Sequence, residues 1–353
     1  MEIPSATNEE VSQRATEVEG ANRRPLQVLF VTSQWGGKEG VGGAPFVRRE
    51  VEALRACGLD VDVLAYDGAW NPLAYLRAIR TLRRRLRRRP YDVVHARFGQ
   101  CGLVGRAQWK APVVITYGGS DVQGALSASA IQRMQIFLLR SVSWGLSLLA
   151  DEVIVVARHL GEKLPRRHYH VIPSGIDFTL FRPMDQQQAR TQLALPLDRR
   201  LVLFVGNPNT RQKRFRLARQ AFERAAASID AQLVVLSGQP SSRVPLFMNA
   251  CDVLLLTSFQ EGSPNVVKEA LACNLPVVSV DVGDVRERIG AIEGCVLCES
   301  STPEVLADAL LAVLKQPRRL AAREAVRDLD GNVLAEQVVD VYRRALAKQR
   351  RRD

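Results

Sequence analysis

Two glutamates, Glu261 and Glu269, lie eight positions apart in "EGSPNVVKEALACNLPVV". Carboxylates can trade protons or accept hydrogen bonds from hydroxyl-rich ligands, so their setting decides the chemistry. "VLLLTSFQ" reads as a strand that delivers Glu261 at its carboxyl end. Gly262 and Ser263 form a turn, and Pro264 suits a first helical position, where its missing N–H costs nothing. The free N–H groups of Ser263, Asn265 and Val266 then point outward with the positive end of the helix dipole behind them. That arrangement suits an anion such as a diphosphate. Glu269 falls roughly 6–8 Å further along the helix, at about 1.5 Å per residue. It would repel phosphate there, but it could accept from the two hydroxyls of a ribose. Glu261, at the mouth, could meet hydroxyls of a sugar beyond the diphosphate. The spacing therefore suits a nucleotide sugar. The bland alternative is an ordinary helix-start acid and an ordinary surface acid, although Val267 and Leu271 beside Glu269 disfavour a fully exposed face.

The elements that position this helix form a pattern along the chain. "QVLFVT" is a continuous apolar run of strand length, as in a parallel strand covered on both faces. A glycine-rich loop, Gly36 to Gly43, follows, and then Phe46, Val47, Val51 and Leu54 recur at helical spacing. "LDVDVLAYD" closes a βαβ unit. "DVVHARF", "APVVITYGG", "DEVIVVA" and "YHVIPSGID" continue the strands, and "FTLFRPMDQQQARTQLALPLDRR" reads as a connection between domains. Alternation then restarts with "RLVLFVGN", "AQLVVLSG", "CDVLLLTS" and "PVVSVDVG". The fold class is α/β: two Rossmann-like parallel-sheet domains facing a central cleft, with ligands at the carboxyl ends of strands. The expected division is a tail over 1–24, a first domain over 25–180 and a second over 181–332. A last helix over 333–353 is expected to pack back on the first domain.

The chain has 353 residues, 46% hydrophobic and 24% charged, which fits a globular protein of two domains. Its net charge of +12 favours anionic partners: nucleic acid, anionic membrane or a phosphorylated substrate. The six cysteines read as buried thiols of a reducing compartment, and the single pair Cys295–Cys298 is a weak metal or redox signal. The first 24 residues lack the apolar core of a secretory signal. "IFLLRSVSWGLSLLADEVIVVA" comes nearest to a membrane span, but Arg140, Asp151 and Glu152 divide it. It reads as a buried helix followed by a strand. A cytoplasmic location, peripheral to the membrane, is the expectation.

"EGSPNVVKEALACNLPVVSVDVGDVRE" resembles the E-x7-E signature of the retaining nucleotide-sugar glycosyltransferases of family four, which have the GT-B fold. The match extends to Gly283 and Glu287. "VIPSGIDFTLFRP" resembles the family's crossing into its second domain. "FVRREVEALRACGLDVDVL", "YDVVHARFG" and "VVITYGGSDV" resemble its opening and its next two strands, so the likeness covers nearly the whole chain past residue 25. The resemblance implies that Glu261 contacts the donor sugar and Glu269 the ribose. It implies no metal and no cofactor beyond the nucleotide-diphosphate sugar itself, with a glycan, lipid-linked or small-molecule acceptor in cell-envelope or exopolysaccharide synthesis. In "VGNPNTRQKRF", after Gly206, Asn207 takes the usual place of an arginine. Lys213 then inherits the diphosphate-clamping role, with Arg211 standing in for the missing cation. Gly118 of "YGGSD" takes the place of a histidine that many relatives carry, which implies a changed donor-sugar contact, an altered substrate or impaired catalysis. Gly119 and Asp121 of the same turn, Gly42 and Gly43 of the first loop, and His95 at a strand end complete the expected cleft lining.

"RAIRTLRRRLRRR" places Leu76, Ile79, Leu82 and Leu86 on one helical face, with arginines elsewhere between Arg77 and Arg89. Such a helix could rest on anionic lipid, or it is simply a solvated face in an arginine-rich protein. Aromatics are only 6% and do not interleave with the arginines, which counts against nucleic-acid binding. The competing readings are a nucleotide-sugar epimerase or phosphorylase on the same fold, a basic nucleic-acid-binding protein, or a non-catalytic relative. Gly118 and Asn207 keep the last of these open.

Overall fold

The computed structural model describes residues 24–36, 44–68, 71–124 and 130–352. Strands and helices alternate through two wholly parallel sheets. The first half contains β1 (Gln27–Thr32), α1 (Pro45–Ala56), β2 (Asp60–Ala65), α2 (Pro72–Arg88), β3 (Val93–Arg97), α3 (Cys101–Gly105) and β4 (Val113–Tyr117). It continues with α4 (Ser120–Gln123), α5 (Ala130–Leu149), β5 (Glu152–Val155), α6 (Arg158–Gly161) and β6 (His170–Val171). Its six strands lie in the order β2-β1-β3-β4-β5-β6. Every residue of β3, β4 and β5 is buried, as in parallel strands covered on both faces, even the polar His95, Arg97 and Glu152.

The second half contains α7 (Gln186–Gln192), β7 (Arg200–Val205), α8 (Phe215–Ala226), β8 (Ala231–Leu236), α9 (Val244–Ala250), β9 (Val253–Leu256) and α10 (Asn265–Ala272). After these come β10 (Val277–Val280), α11 (Val285–Ile289), β11 (Val296–Cys298), α12 (Pro303–Lys315) and α13 (Gly331–Arg350). Its five strands run β11-β10-β9-β7-β8.

The strand order decides where the helices go. The step from β1 to β2 runs opposite to the steps β2 to β3, β3 to β4 and β4 to β5. Right-handed crossovers therefore put α1 on one face of the first sheet and α2, α3 and α5 on the other. Helix α13 returns from the second half and packs on α1, β3, β4 and β5, covering the face that α1 leaves open. The outgoing and returning connections run side by side: Ile176 N–H donates to Leu329 O at 2.8 Å, and Gly331 N–H to Ile176 O at 3.0 Å.

Two helices differ from the sequence reading. On α2, Leu82 is buried and Ile79 and Leu86 are half-buried, but Leu76 is exposed among the arginines. Helix α5 is not a buried helix: its outward side exposes Met134, Phe137, Leu138, Leu148 and Leu149. No helix among the described residues is long and apolar enough to cross a membrane.

Candidate active site

Parallel strands β4, β7, β9 and β10 bring four loops to one seam between the halves. Strand β9 runs on into Thr257 and Ser258, both buried, and the chain then turns through Glu261 into α10. Pro264 occupies the N-cap, with Asn265 as first helical residue. Sequence placed Pro264 one step later, inside the helix; its φ of −68° suits either position. The Ser263 hydroxyl donates to Asp284 Oδ2 at 2.8 Å, so the β10 loop braces the turn.

Across the seam lies the β4 loop. Asp121 is buried and accepts from three backbone N–H groups: Gly99 at 2.8 Å, Gly118 at 3.1 Å and Gly119 at 2.8 Å. Its carboxylate is spent on shaping this turn. The turn touches α10's approach so closely that a Cβ on Gly262 would sit 2.2 Å from the Gly118 carbonyl oxygen. No side chain fits there. Gln260 Nε2 donates to Gly124 O at 2.7 Å and holds the same contact.

Lys213 comes from the 3-10 turn Arg211–Lys213 after β7 and reaches Glu261 Oε1 at 2.7 Å. Its stem lies along Gly206, where a Cβ would stand 3.2 Å from Lys213 Cγ. The lysine is about a quarter exposed and the glutamate less, so the pair faces the seam rather than bulk water. Glu269, further along α10, is paired with Arg49 of α1 at 2.8 Å, with both side chains largely covered. Lys268 beside it is fully buried and donates from Nζ to Ser174 O at 2.8 Å. Burial lowers its ammonium to about 7.

The structure thus brings Glu261, Lys213, Gly206, Gly262, Ser263, Pro264, Gly118, Gly119 and Asp121 to one seam, with Asn265, Val266 and Glu269 following on α10. Asn265 is half-buried and its Oδ1 has no hydrogen-bond partner among the described residues. Arg211 and Asn207 are exposed, and Asn207 Oδ1 accepts from Asn209 N–H at 2.9 Å, which makes it a turn residue here. His95 does not face the cleft. It is fully buried on β3, with Nδ1 2.6 Å from Tyr342 Oη and Nε2 2.7 Å from Thr116 Oγ1. Burial, with Arg97 nearby, holds its imidazole down at about 3, so it is neutral and acts as a packing group that ties β3 to α13. Gly42 and Gly43 lie outside the described residues.

Sequence reasoning missed Arg49, Arg97 and Asp284. Arg97 ends β3 and is 1% exposed. It donates from Nε to Glu50 Oε2 at 2.8 Å and from Nη2 to Ser174 Oγ at 3.1 Å, while Nη1 has no hydrogen-bond partner among the described residues. A Cβ on Gly118 would meet the Phe98 ring at 3.0 Å and Arg97 Nη1 at 3.5 Å. A side chain at 118 would therefore need the Phe98 ring to give by a few tenths of an ångström. A cavity of about 310 Å³ opens between α1, the outgoing connection and α13, with Arg49 and Arg97 on its wall.

Two family models match the chain: Glycosyltransferase Family 4 over residues 18–180 and Glycosyl transferases group 1 over residues 202–316. The chain is 30% identical to the teichuronic acid biosynthesis glycosyltransferase TuaC of Bacillus subtilis over 245 residues, 62% of this chain and 60% of that protein. It is 26% identical to the D-inositol 3-phosphate glycosyltransferase of Thermobispora bispora over 310 residues, 74% of this chain and 72% of that one. Among solved structures, the sucrose-phosphate synthase of Thermosynechococcus elongatus superposes with a TM-score of 0.78 at 21% identity, covering 92% of this chain and all of the other (100%). HepE of Anabaena, solved in complex with UDP, superposes at 0.65 with 16% identity, covering 90% and 99%. The last two likenesses bear on the fold, which is GT-B.

Proposed function

This chain belongs to the family-four glycosyltransferases, and on that premise we propose that it transfers a sugar, with retention, from a nucleotide-diphosphate sugar to a glycan, lipid-linked or small-molecule acceptor. Cell-envelope or exopolysaccharide synthesis is the proposed setting, which the likeness to TuaC favours. The observation that carries the proposal is the Lys213–Glu261 pair at the mouth of α10, with Glu269 further along the same helix. In this reading Lys213 and Glu261 exchange their mutual bond for the donor. Lys213 takes the diphosphate oxygens, and Glu261 takes hydroxyls of the sugar. The N–H groups of Asn265 and Val266 add to the positive end of α10. Glu269 leaves Arg49 and accepts from the ribose. Catalysis is then electrostatic: charge growing on the leaving diphosphate meets preorganised donors, while the sugar gains cationic character. No metal or cofactor has a part in this scheme.

The test is nucleotide release from a panel of UDP-, GDP-, ADP- and TDP-sugars, wild type against Glu269→Ala. Release from one donor, lost in the variant, supports the assignment. Absence of both turnover and binding across the panel sinks it.

A further inference from the structure

Helix α5 presents one side to the protein and one away from it. Ser143, Leu146 and Ser147 are buried on the inner side. At 3.6 residues per turn, the exposed Met134, Phe137, Leu138, Leu148 and Leu149 fall in one outward stripe about 120° wide and about 22 Å long. Ser141 and Gly145 complete the stripe, so no charge interrupts it. Helix α3 lies between α5 and α2 and touches both. It adds exposed Leu103, and the loop after it adds Trp109, which is 71% exposed beneath the Arg106 guanidinium at 3.7 Å. On α2, the exposed Arg77, Arg80, Arg84, Arg87 and Arg88 share another outward stripe. All three helices lie on the same side of the first sheet, as the crossover argument requires.

An uncharged stripe that exposes five large apolar side chains on one side of a helix marks an interaction site. Its neighbour says which kind. An apolar stripe flanked by an arginine row matches a bilayer whose anionic headgroups meet the guanidinium groups while the apolar residues enter the headgroup–acyl boundary. A two-fold dimer on this face would instead bring two arginine rows of a +12 chain towards one another. We propose that α5, with Leu103 and Trp109, is the insertion face by which this protein docks on an anionic membrane, the α2 arginines binding the headgroups. The inference rests on the surface alone and stands apart from the transfer reaction.

The experiment is co-sedimentation of the full chain with phosphatidylcholine vesicles, with and without phosphatidylglycerol. Two variants are compared with wild type: Phe137→Ser with Leu148→Ser, and Arg84→Gln with Arg87→Gln and Arg88→Gln. All five side chains are solvent-facing and none belongs to the seam, so circular dichroism and nucleotide release from a soluble donor are expected unchanged. Wild type should bind the anionic vesicles and bind phosphatidylcholine more weakly. The α5 variant should lose at least about tenfold in affinity, and the α2 variant roughly fivefold per arginine, with the loss shrinking as salt rises. Three results overturn the proposal. One is wild type that ignores anionic vesicles. Another is binding that falls with the arginines but is untouched by the α5 changes. The third is a wild-type dimer that ignores vesicles and that the α5 variant dissociates, because the face then belongs to a second copy.

Discussion

Lys213 and Glu261 neutralise each other across 2.7 Å in a partly covered seam. If Lys213 stabilises the departing diphosphate, Lys213→Met should lower kcat roughly 10²–10³-fold, the usual loss for one preorganised donor. Lys213→Arg should retain more, and steady-state nucleotide release reads both. Lys268 makes a different kind of statement. Burial lowers it to about 7 from an ordinary 10.5. Between those values the unfolded chain holds a proton that the folded chain has shed, so stability rises with pH through that window. The penalty of burying the charge is complete below about 7. Lys268→Met should therefore raise the urea midpoint most at neutral pH and below. That advantage should shrink by about 1 kcal/mol per pH unit toward pH 10. An advantage independent of pH would mean that the lysine does not titrate there. At this scale the placing of the two glutamates was legible from sequence, because the Gly-Ser-Pro turn marks where the helix begins and so leaves Glu261 at its mouth and Glu269 within it. Arg49 and Arg97 were not, because their partners lie on other elements.

The β4 loop shows how an element earns its shape. Asp121 looked like a residue for the substrate, yet it accepts three backbone N–H groups and sits buried within the loop it closes. Asp121→Asn keeps one acceptor oxygen and turns an amide toward those donors. A loss of about 2–3 kcal/mol is expected, as for hydrogen bonds to a charged group, read from urea unfolding followed by circular dichroism. Helix α5 carries the opposite lesson. Its sequence is apolar on both sides, so hydrophobic content alone suggested burial. Periodicity can report that a helix has an apolar face, but not that a second apolar face lacks a neighbour.

The whole molecule is held closed by contacts between residues far apart in sequence. Gly262 meets the Gly118 carbonyl, Arg49 meets Glu269, and Lys268 meets the outgoing connection at Ser174. A methyl group at 262 collides with a backbone oxygen rather than with a side chain that could swing aside. Gly262→Ala should leave each sheet intact by circular dichroism, enlarge the radius of gyration measured by small-angle scattering, and raise the donor KM. An unchanged radius would show that the loop yields instead. His95 belongs to this scale too. A strand-end histidine in sequence looks like a cleft residue, but the returning helix α13 brings Tyr342 over it and seals it in.

What the sequence determined by itself was local or periodic. Apolar runs and turn residues specified strands, helices and their alternation, and the eight-residue spacing placed one carboxylate at the mouth of a helix and the other within it. These follow from backbone geometry and side-chain character within a few turns of chain. Tertiary structure alone decided which faces are covered, which ions pair, and how near the halves come. The burial of His95, the Arg49–Glu269 pair, the Phe98 ring against Gly118 and the bare side of α5 all depend on strands and helices brought together across the fold. A linear pattern carries no record of which neighbour will arrive.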